Sequence, residues 1–190
     1  EIISGEQFID RICSQSCSIV YIDQNKFKMK TIMPDKMYPK VHLIENINLY
    51  KQRFEFTKSE DIYNSFIFYY KYDYVFNRYN SYIKKNKMNS EDCARSYTLN
   101  GFEREKQIIE FRDISDPFTA NKLADRYVDI FSKRRAYLSG TIKYTDEIIN
   151  SNIDIGDCVA VTSSLAPNGW ESKNCIVVDI NKNSVNIEVK

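Results

Sequence analysis

The chain has 190 residues, of which 43% are hydrophobic, 28% charged and 14% aromatic, and its formal net charge is +1. Five Gly and four Pro are too few for a collagenous or linker-like polypeptide. The apolar content and balanced charge exclude disorder, and no apolar run reaches the roughly 18 residues that span a bilayer. A net charge near zero supplies no long-range field for attracting polyanions, so no nucleic-acid partner is expected. A chain of this length can bury a substantial core.

Helix followed by hairpin is the reading of residues 4–32. Ser4 to Gln7 has the capping-box form, and Phe8, Ile9, Ile12 and Cys13 then fall on one helical face. Cys17 to Ile22 is a β-branched and aromatic run, and Lys26 to Ile32 alternates polar and apolar as a half-buried strand does. Pro34, Asp35 and Pro39 mark a loop, and Arg53-Phe54-Glu55-Phe56-Thr57 reads as a strand.

Ile62 to Phe76 is the most aromatic stretch and is expected to form one or two strands. Seven of the 14 Tyr (63, 69, 70, 72, 74, 79 and 82) lie between Tyr63 and Tyr82. Residues 77–90 are polar and basic and read as an exposed loop. Residues 91–99 carry little pattern. Gln107 to Arg112 reads as a strand.

Asp116-Pro117 starts a helix, with Asp at the N-cap and Pro at the first helical position. Ala120, Leu123, Ala124, Tyr127, Ile130, Phe131 and Leu138 then repeat at helical spacing, and Gly140 suits a C-terminal cap. A long helix is therefore expected near 117–139. Thr141 to Thr145, Ile153 to Thr162 with a turn at Gly156-Asp157, Cys175 to Ile180 and Val185 to Val189 read as strands. Together, residues 141–190 are expected to form a small twisted sheet or barrel. The fold class is α+β: mostly β, with an N-terminal helix-hairpin. The expected division is 1–100, the helix-hairpin with the aromatic β region, and 101–190, the strand, helix and barrel-like region. Both ends look like cuts within a longer polypeptide.

A search for chemistry gives little. The single imidazole, His42, has no nucleophile motif to serve and reads as a loop or strand-edge histidine. Cys13 and Cys17 have a zinc-like gap, but no second pair completes four ligands, and neither metal nor cofactor is expected. Cys93, Cys158 and Cys175 bring the cysteine count to an odd five, which reads as free thiols. Arg78, Lys84, Lys85 and Lys87 alternate with Tyr79 and Tyr82, a pattern that can bind single strands but that also suits a solvated loop. Glu103, Glu105, Glu110, Asp113 and Asp116 bracket a strand with Arg104, Lys106 and Arg112 interspersed, as an ordinary solvated face does. Asp154 and Asp157 flank Gly156 as turn residues. Trp170 lies beside Gly169 in a loop.

Residues 97–162 resemble a family. Tyr97 and Gly101 precede Glu105 to Phe111, and Ile114-Ser115-Asp116 enters a helix with Ala120, Leu123-Ala124 and Arg126 that ends in Arg134-Arg135. Ile153-Asp154-Ile155-Gly156-Asp157 then leads an apolar strand. This order resembles the tail-hub and baseplate proteins of bacteriophages and related tail-like particles. The resemblance also takes in Ile62-Tyr63-Asn64 with its aromatic strand and the N-terminal helix-hairpin. It implies an architectural, non-enzymatic role. It further implies a location in a virion tail or tail-like particle assembled in the bacterial cytoplasm. The implied partners are other tail or baseplate proteins and further copies of the chain. Tyr70, Tyr72, Tyr74 and Trp170 are the expected interface residues. The alternative is an adhesion or carbohydrate-binding module in which exposed, coplanar Tyr and Trp rings stack on sugars.

Overall fold

The computed structural model describes residues 4–23, 26–31, 38–143, 145–166, 168–182 and 186–189. The chain forms two compact, interleaved units, the first of residues 1–9, 18–55 and 136–190, the second of residues 10–17 and 56–135.

The first element is helix α1 (Gly5–Ser16). Its expected capping box is present: the Gln7 amide donates to Ser4 Oγ at 3.2 Å, and the Ser4 amide donates to Gln7 Oε1 at 3.0 Å. Strands β1 (Ser18–Asp23) and β2 (Lys26–Thr31) then form the expected antiparallel hairpin, pairing Val20 with Met29 and Ile22 with Phe27.

The rest of unit one is built on two further sheets. Strand β3 (His42–Ile44) pairs in parallel with β9 (Cys158–Ser163), which pairs antiparallel with β10 (Trp170–Ile176). Strand β4 (Leu49–Phe56) adjoins β8 (Ala136–Lys143), followed by β12 (Asn186–Val189) and β11 (Ile180–Lys182). Leu43, Leu49, Ile142, Ile153, Val159 and Val161 form the centre of this unit's core. Helix α4 (Asp146–Ser151), capped by the Thr145 hydroxyl, delivers Ile148 to it.

Unit two is a three-stranded sheet, β6-β5-β7, carrying two helices. Strand β5 (Ser65–Asp73) pairs antiparallel with β6 (Arg78–Lys85) and in parallel with β7 (Glu105–Phe111). Helices α2 (Glu91–Asn100) and α3 (Pro117–Phe131) lie on it. Phe66, Phe68 and Phe111 are buried against Ala120, Ala124 and Val128. The Phe68 ring centroid is 5.9 Å from that of Phe66 and 5.4 Å from that of Phe111.

The α+β class holds, and four details differ from expectation. Helix α3 begins at Asp116-Pro117 as the sequence requires, with Thr119 N donating to Asp116 Oδ2 at 2.7 Å, but it ends at Phe131. Residues 136–143 join a sheet instead, where strand pairing overrides the helical spacing of Leu138. Gly140 is thus a sheet glycine: a Cβ there would sit 2.9 Å from Leu49 Cδ1. Residues 77–90 form strand β6 and its exit turn, not a loop. The weakly patterned residues 91–99 are helix α2, with Ser90 as N-cap and left-handed Gly101 (φ +77°) at its end. Among the described residues the sheets are open, and residues 141–190 do not close a barrel. Their strands divide between two sheets whose other edges are β3 and β4, so the C-terminal segment does not close on itself.

Candidate functional site

The aromatic excess resolves into two populations on one hairpin. Phe66 and Phe68 are fully buried toward the helices, and Tyr70 packs against the same core. At Lys71 the chain takes a left-handed conformation (φ +59°), and its amide donates to Ile114 O at 2.8 Å. On this hairpin the rings of Tyr69, Tyr72, Tyr74, Tyr79 and Tyr82 form a continuous series. Tyr72 lies 4.8 Å from Tyr79 and 5.0 Å from Tyr74, while Tyr69 lies 5.8 Å from Tyr79 and 6.1 Å from Tyr82.

Charge organises these rings. The Arg112 guanidinium lies 4.3 Å over Tyr72 and 5.5 Å over Tyr74. Tyr79 OH donates to Glu110 Oε2 at 3.0 Å, and Tyr74 OH donates to Asp113 Oδ1 at 3.2 Å. Burial, then the bond to the Glu110 carboxylate, pushes the Tyr79 phenol well above its ordinary range. The Asp73 carboxylate closes the turn by accepting from the Val75 amide at 2.9 Å and the Phe76 amide at 3.1 Å. The amide bond from Phe76 leads the interactions that hold Asp73 below the usual carboxylate range. This turn projects Tyr74, Val75 and Phe76, which are 65%, 86% and 69% exposed.

Of the expected interface residues, the structure brings Tyr72 and Tyr74 together. Tyr70 contributes to the unit's core. Trp170 belongs to unit one, where its ring meets Phe54 edge-on at 5.3 Å and 87° and packs against the core. The sequence reading missed Glu110 and Arg112 as members of the surface. It also missed Val75 and Phe76 as its exposed tip. The Asp73 turn between two aromatic strands was the available signal, and reading 77–90 as a loop concealed it. Successive Tyr rings meet at 45° to 82°, so they make an interlocked aromatic surface and not the coplanar platform that sugar stacking uses.

Several of the remaining candidates are engaged locally. Lys85 pairs with Asp125 at 2.6 Å, and Lys87 lies 3.7 Å over the Tyr97 ring. Asp113 receives Arg11 at 3.0 Å and Gln15 at 3.1 Å, and Asp116 is the α3 cap. His42 sits on edge strand β3, its Nε2 2.8 Å from Thr162 Oγ1. All five cysteines are free thiols; Cys158 pairs in register with Ile176 and Cys175 with Val159 on adjoining strands, and burial pushes the Cys175 thiol up to about 11. Among the described residues no group of His, Cys, Asp and Glu has a metal-binding arrangement. No helix among them is long and apolar enough to cross a membrane. Unit two also holds a cleft of about 840 Å³ between Phe56, Leu99 and Arg134, where Asp92 pairs with Lys133 at 3.2 Å and Arg95 at 3.7 Å.

No protein-family model matches the sequence, and no curated protein aligns with it significantly. The fold, however, is shared with phage tail proteins. The 43 kDa tail protein of prophage MuSo2 from Shewanella oneidensis superposes with a TM-score of 0.57 at 13% identity, over 98% of this chain and 53% of its own. A tail protein from Neisseria meningitidis MC58 superposes with a TM-score of 0.60 at 10% identity, over 100% of this chain and 55% of its own. A chain of the virion of a native gene transfer agent particle gives 0.62 at 10% identity, over 98% of this chain and 39% of its own. The chain thus spans about half the length of the two tail proteins and less of the particle chain. What these likenesses share with the chain is the fold, in which helices accompany sheets that are open among the described residues.

Proposed function

We propose that this chain is a structural component of a phage tail or phage-tail-like particle, at the hub, baseplate or tail tip, and that it acts by subunit assembly. Its partners are other proteins of the particle and further copies of itself. The observation that carries this reading is the superposition of essentially the whole chain on tail proteins and on a chain of an assembled virion. The exposed Tyr74-Val75-Phe76 tip and the Tyr72–Arg112 stack support it, since Tyr, Phe and Arg are the residue types enriched at protein interfaces. The role we propose is non-enzymatic: Asp73, Asp113 and Asp116 serve a turn, an ion pair and a cap, Glu110 accepts from Tyr79, and the His42 imidazole lies in hydrogen-bond contact with Thr162. The test is to purify particles from an induced producer culture and locate the chain by mass spectrometry and immunogold labelling. The expected result is label confined to the tail end. Particles that lack the chain would overturn the reading.

A further inference from the structure

The amine of Lys106, on strand β7, has no counter-charge. Lys85 and Lys133 of the same unit meet carboxylates, Lys85 at Asp125 and Lys133 at Asp92. Lys87 and Lys122 each lie over one ring, Tyr97 and Phe118. Lys106 Nζ instead lies over two, 4.0 Å from the Phe131 centroid and 4.7 Å from that of Tyr63. Among the described residues it has neither a hydrogen-bond acceptor nor a carboxylate within ion-pair distance. A second cation addresses the same ring: the Arg135 guanidinium lies 5.3 Å over Phe131, and its Nε is buried without a hydrogen-bond partner. The sheet dictates this placement. Lys106 is in register with Phe66, whose ring is fully buried, and residues in register share a face. Strand β7 thus aims a half-buried lysine along the rim of the core, where Tyr63 and Phe131 pack.

Aromatic rings attract an ammonium through their quadrupole, but they offer no lone pair to replace the water it loses on burial. Phe131 also divides its attraction between two cations. Burial first, and the Arg135 charge second, hold the Lys106 ammonium below the ordinary lysine range, and the Asp61 carboxylate opposes them without restoring it. Desolvation beside a second cation is one of the ways in which proteins turn a lysine into a nucleophile. We propose that Lys106 is an acylation site, a nucleophilic amine that takes acyl groups from acyl phosphates. Two features select this class of donor. The amine needs an activated carbonyl carbon to attack, and an anionic leaving group gains from the Arg135 cation beside it. In the step, Lys106 Nζ bonds to the acyl carbon and the bond from that carbon to the phosphoryl oxygen breaks. The electron pair leaves with inorganic phosphate, and the amine proton passes to water. The product is a neutral amide, so one of the two like charges around Phe131 disappears. This chemistry is independent of the place of the chain in a particle.

The experiment treats the full chain with acetyl phosphate and, separately, with the uncharged donor phenyl acetate. Each reaction is quenched early, the remaining amines are capped with a deuterated acetylating reagent, and mass spectrometry gives the initial rate at every lysine. With acetyl phosphate, Lys106 should react about fivefold or more faster than the median of the other lysines. Its pH–rate profile should lie to lower pH than theirs, and its advantage should narrow with phenyl acetate. Arg135→Gln should slow Lys106 and move its profile to higher pH at unchanged far-ultraviolet circular dichroism, and Arg135→Lys should restore both. In guanidinium chloride the advantage should vanish, since it belongs to the folded surroundings. A Lys106 rate at or below the median overturns the proposal, as does a pH profile coincident with the other lysines. So does an advantage that survives unfolding, that Arg135→Gln leaves intact, or that is equal for the two donors.

Discussion

The Lys30 ammonium meets Asp157 Oδ1 at 2.7 Å while the methylenes of the same side chain lie over Gly156. The other carboxylate oxygen accepts from Lys40 Nζ at 2.7 Å and from the Asp154 amide at 2.8 Å. One buried carboxylate thus ties the N-terminal hairpin, the segment before β3 and the turn before β9 into one unit. Burial by itself would raise the Asp157 pKa, but the bonds from Lys30 and Lys40 outweigh it and hold the group below the usual carboxylate range.

Asp157→Asn removes the charge that both lysines use. The lysines keep partial access to water, with side chains 31% and 45% exposed, which reduces the cost below that of a fully buried pair. The expected loss is about 2 kcal/mol in urea denaturation at pH 7. The sign with pH follows from the depressed folded pKa. The stabilisation is complete above the unfolded carboxylate pKa of about 4 and is lost as pH falls below it. The gap between the unsubstituted chain and the variant should therefore close on acidification below pH 4.

Gly156→Ala tests the same junction from the backbone. Gly156 has φ +76°, and a Cβ there would lie 3.0 Å from Lys30 Cδ and 3.2 Å from Lys30 Cβ. A left-handed non-glycine residue costs about 1–2 kcal/mol before any displacement of the lysine. Amide hydrogen exchange should accelerate in residues 18–31 more than in β5 or α3. Uniform acceleration through both units would count against a local anchor.

Phe68→Ala removes a fully buried ring that stacks on Phe66 and Phe111 and meets Tyr127 edge-on. Its expected cost is about 3–5 kcal/mol. The loss belongs to unit two, so cysteine labelling should expose Cys93, which is buried in that cluster, ahead of Cys158 in unit one.

The legible parts of the fold were those that local chemistry decides. The Ser4–Gln7 box, the Asp116-Pro117 helix start and the 18–31 hairpin each rest on side chains within a few residues of one another. Pairing between distant segments was not legible. Leu138 continues the helical spacing of α3, yet residues 136–143 are claimed by strands from elsewhere in the chain. Gly140 resembles a helix cap in sequence, and its reason is the approach of Leu49, far away in the chain. At the candidate site, composition located the tyrosines correctly, but which rings point to the core depends on the break at Lys71. Which face of the β1–β2 hairpin turns inward was equally hidden, because alternation shows that a strand has two faces and not which one meets the core: Tyr21 is buried and Lys30 reaches Asp157, while Ile22 and Phe27 are exposed.

Tyr127 gives a prediction at high pH. Burial and the neighbouring Cys17 push its phenol up to about 12, and its OH donates to Ser14 O at 2.7 Å. A folded pKa above the unfolded value of about 10 means the unfolded chain ionises first. The stabilisation is complete below pH 10 and is lost as pH rises from 10 toward 12. Tyr127→Phe should flatten this part of the stability profile. Absorbance titration at 295 nm should show one fewer late-ionising phenol in the variant, with Tyr79 remaining among the late group.

The tip of the β5–β6 hairpin offers the direct functional test. Val75 and Phe76 are largely exposed, so replacing both with Ser removes apolar area from the surface without opening a cavity. Surface substitutions of this kind change stability by about 0.5 kcal/mol or less. If the tip seats against a neighbour in the particle, burying each of these side chains is worth about 1.5–3 kcal/mol. Val75→Ser with Phe76→Ser should then lower incorporation into particles by tenfold or more while the melting temperature of the isolated chain stays within a few degrees. Arg112→Lys makes a second variant: it keeps the charge but loses the flat guanidinium that lies over Tyr72, and a smaller drop in incorporation is expected. Unchanged incorporation in the double variant would place the assembly contacts elsewhere on the molecule and leave the aromatic tip without a role in the particle.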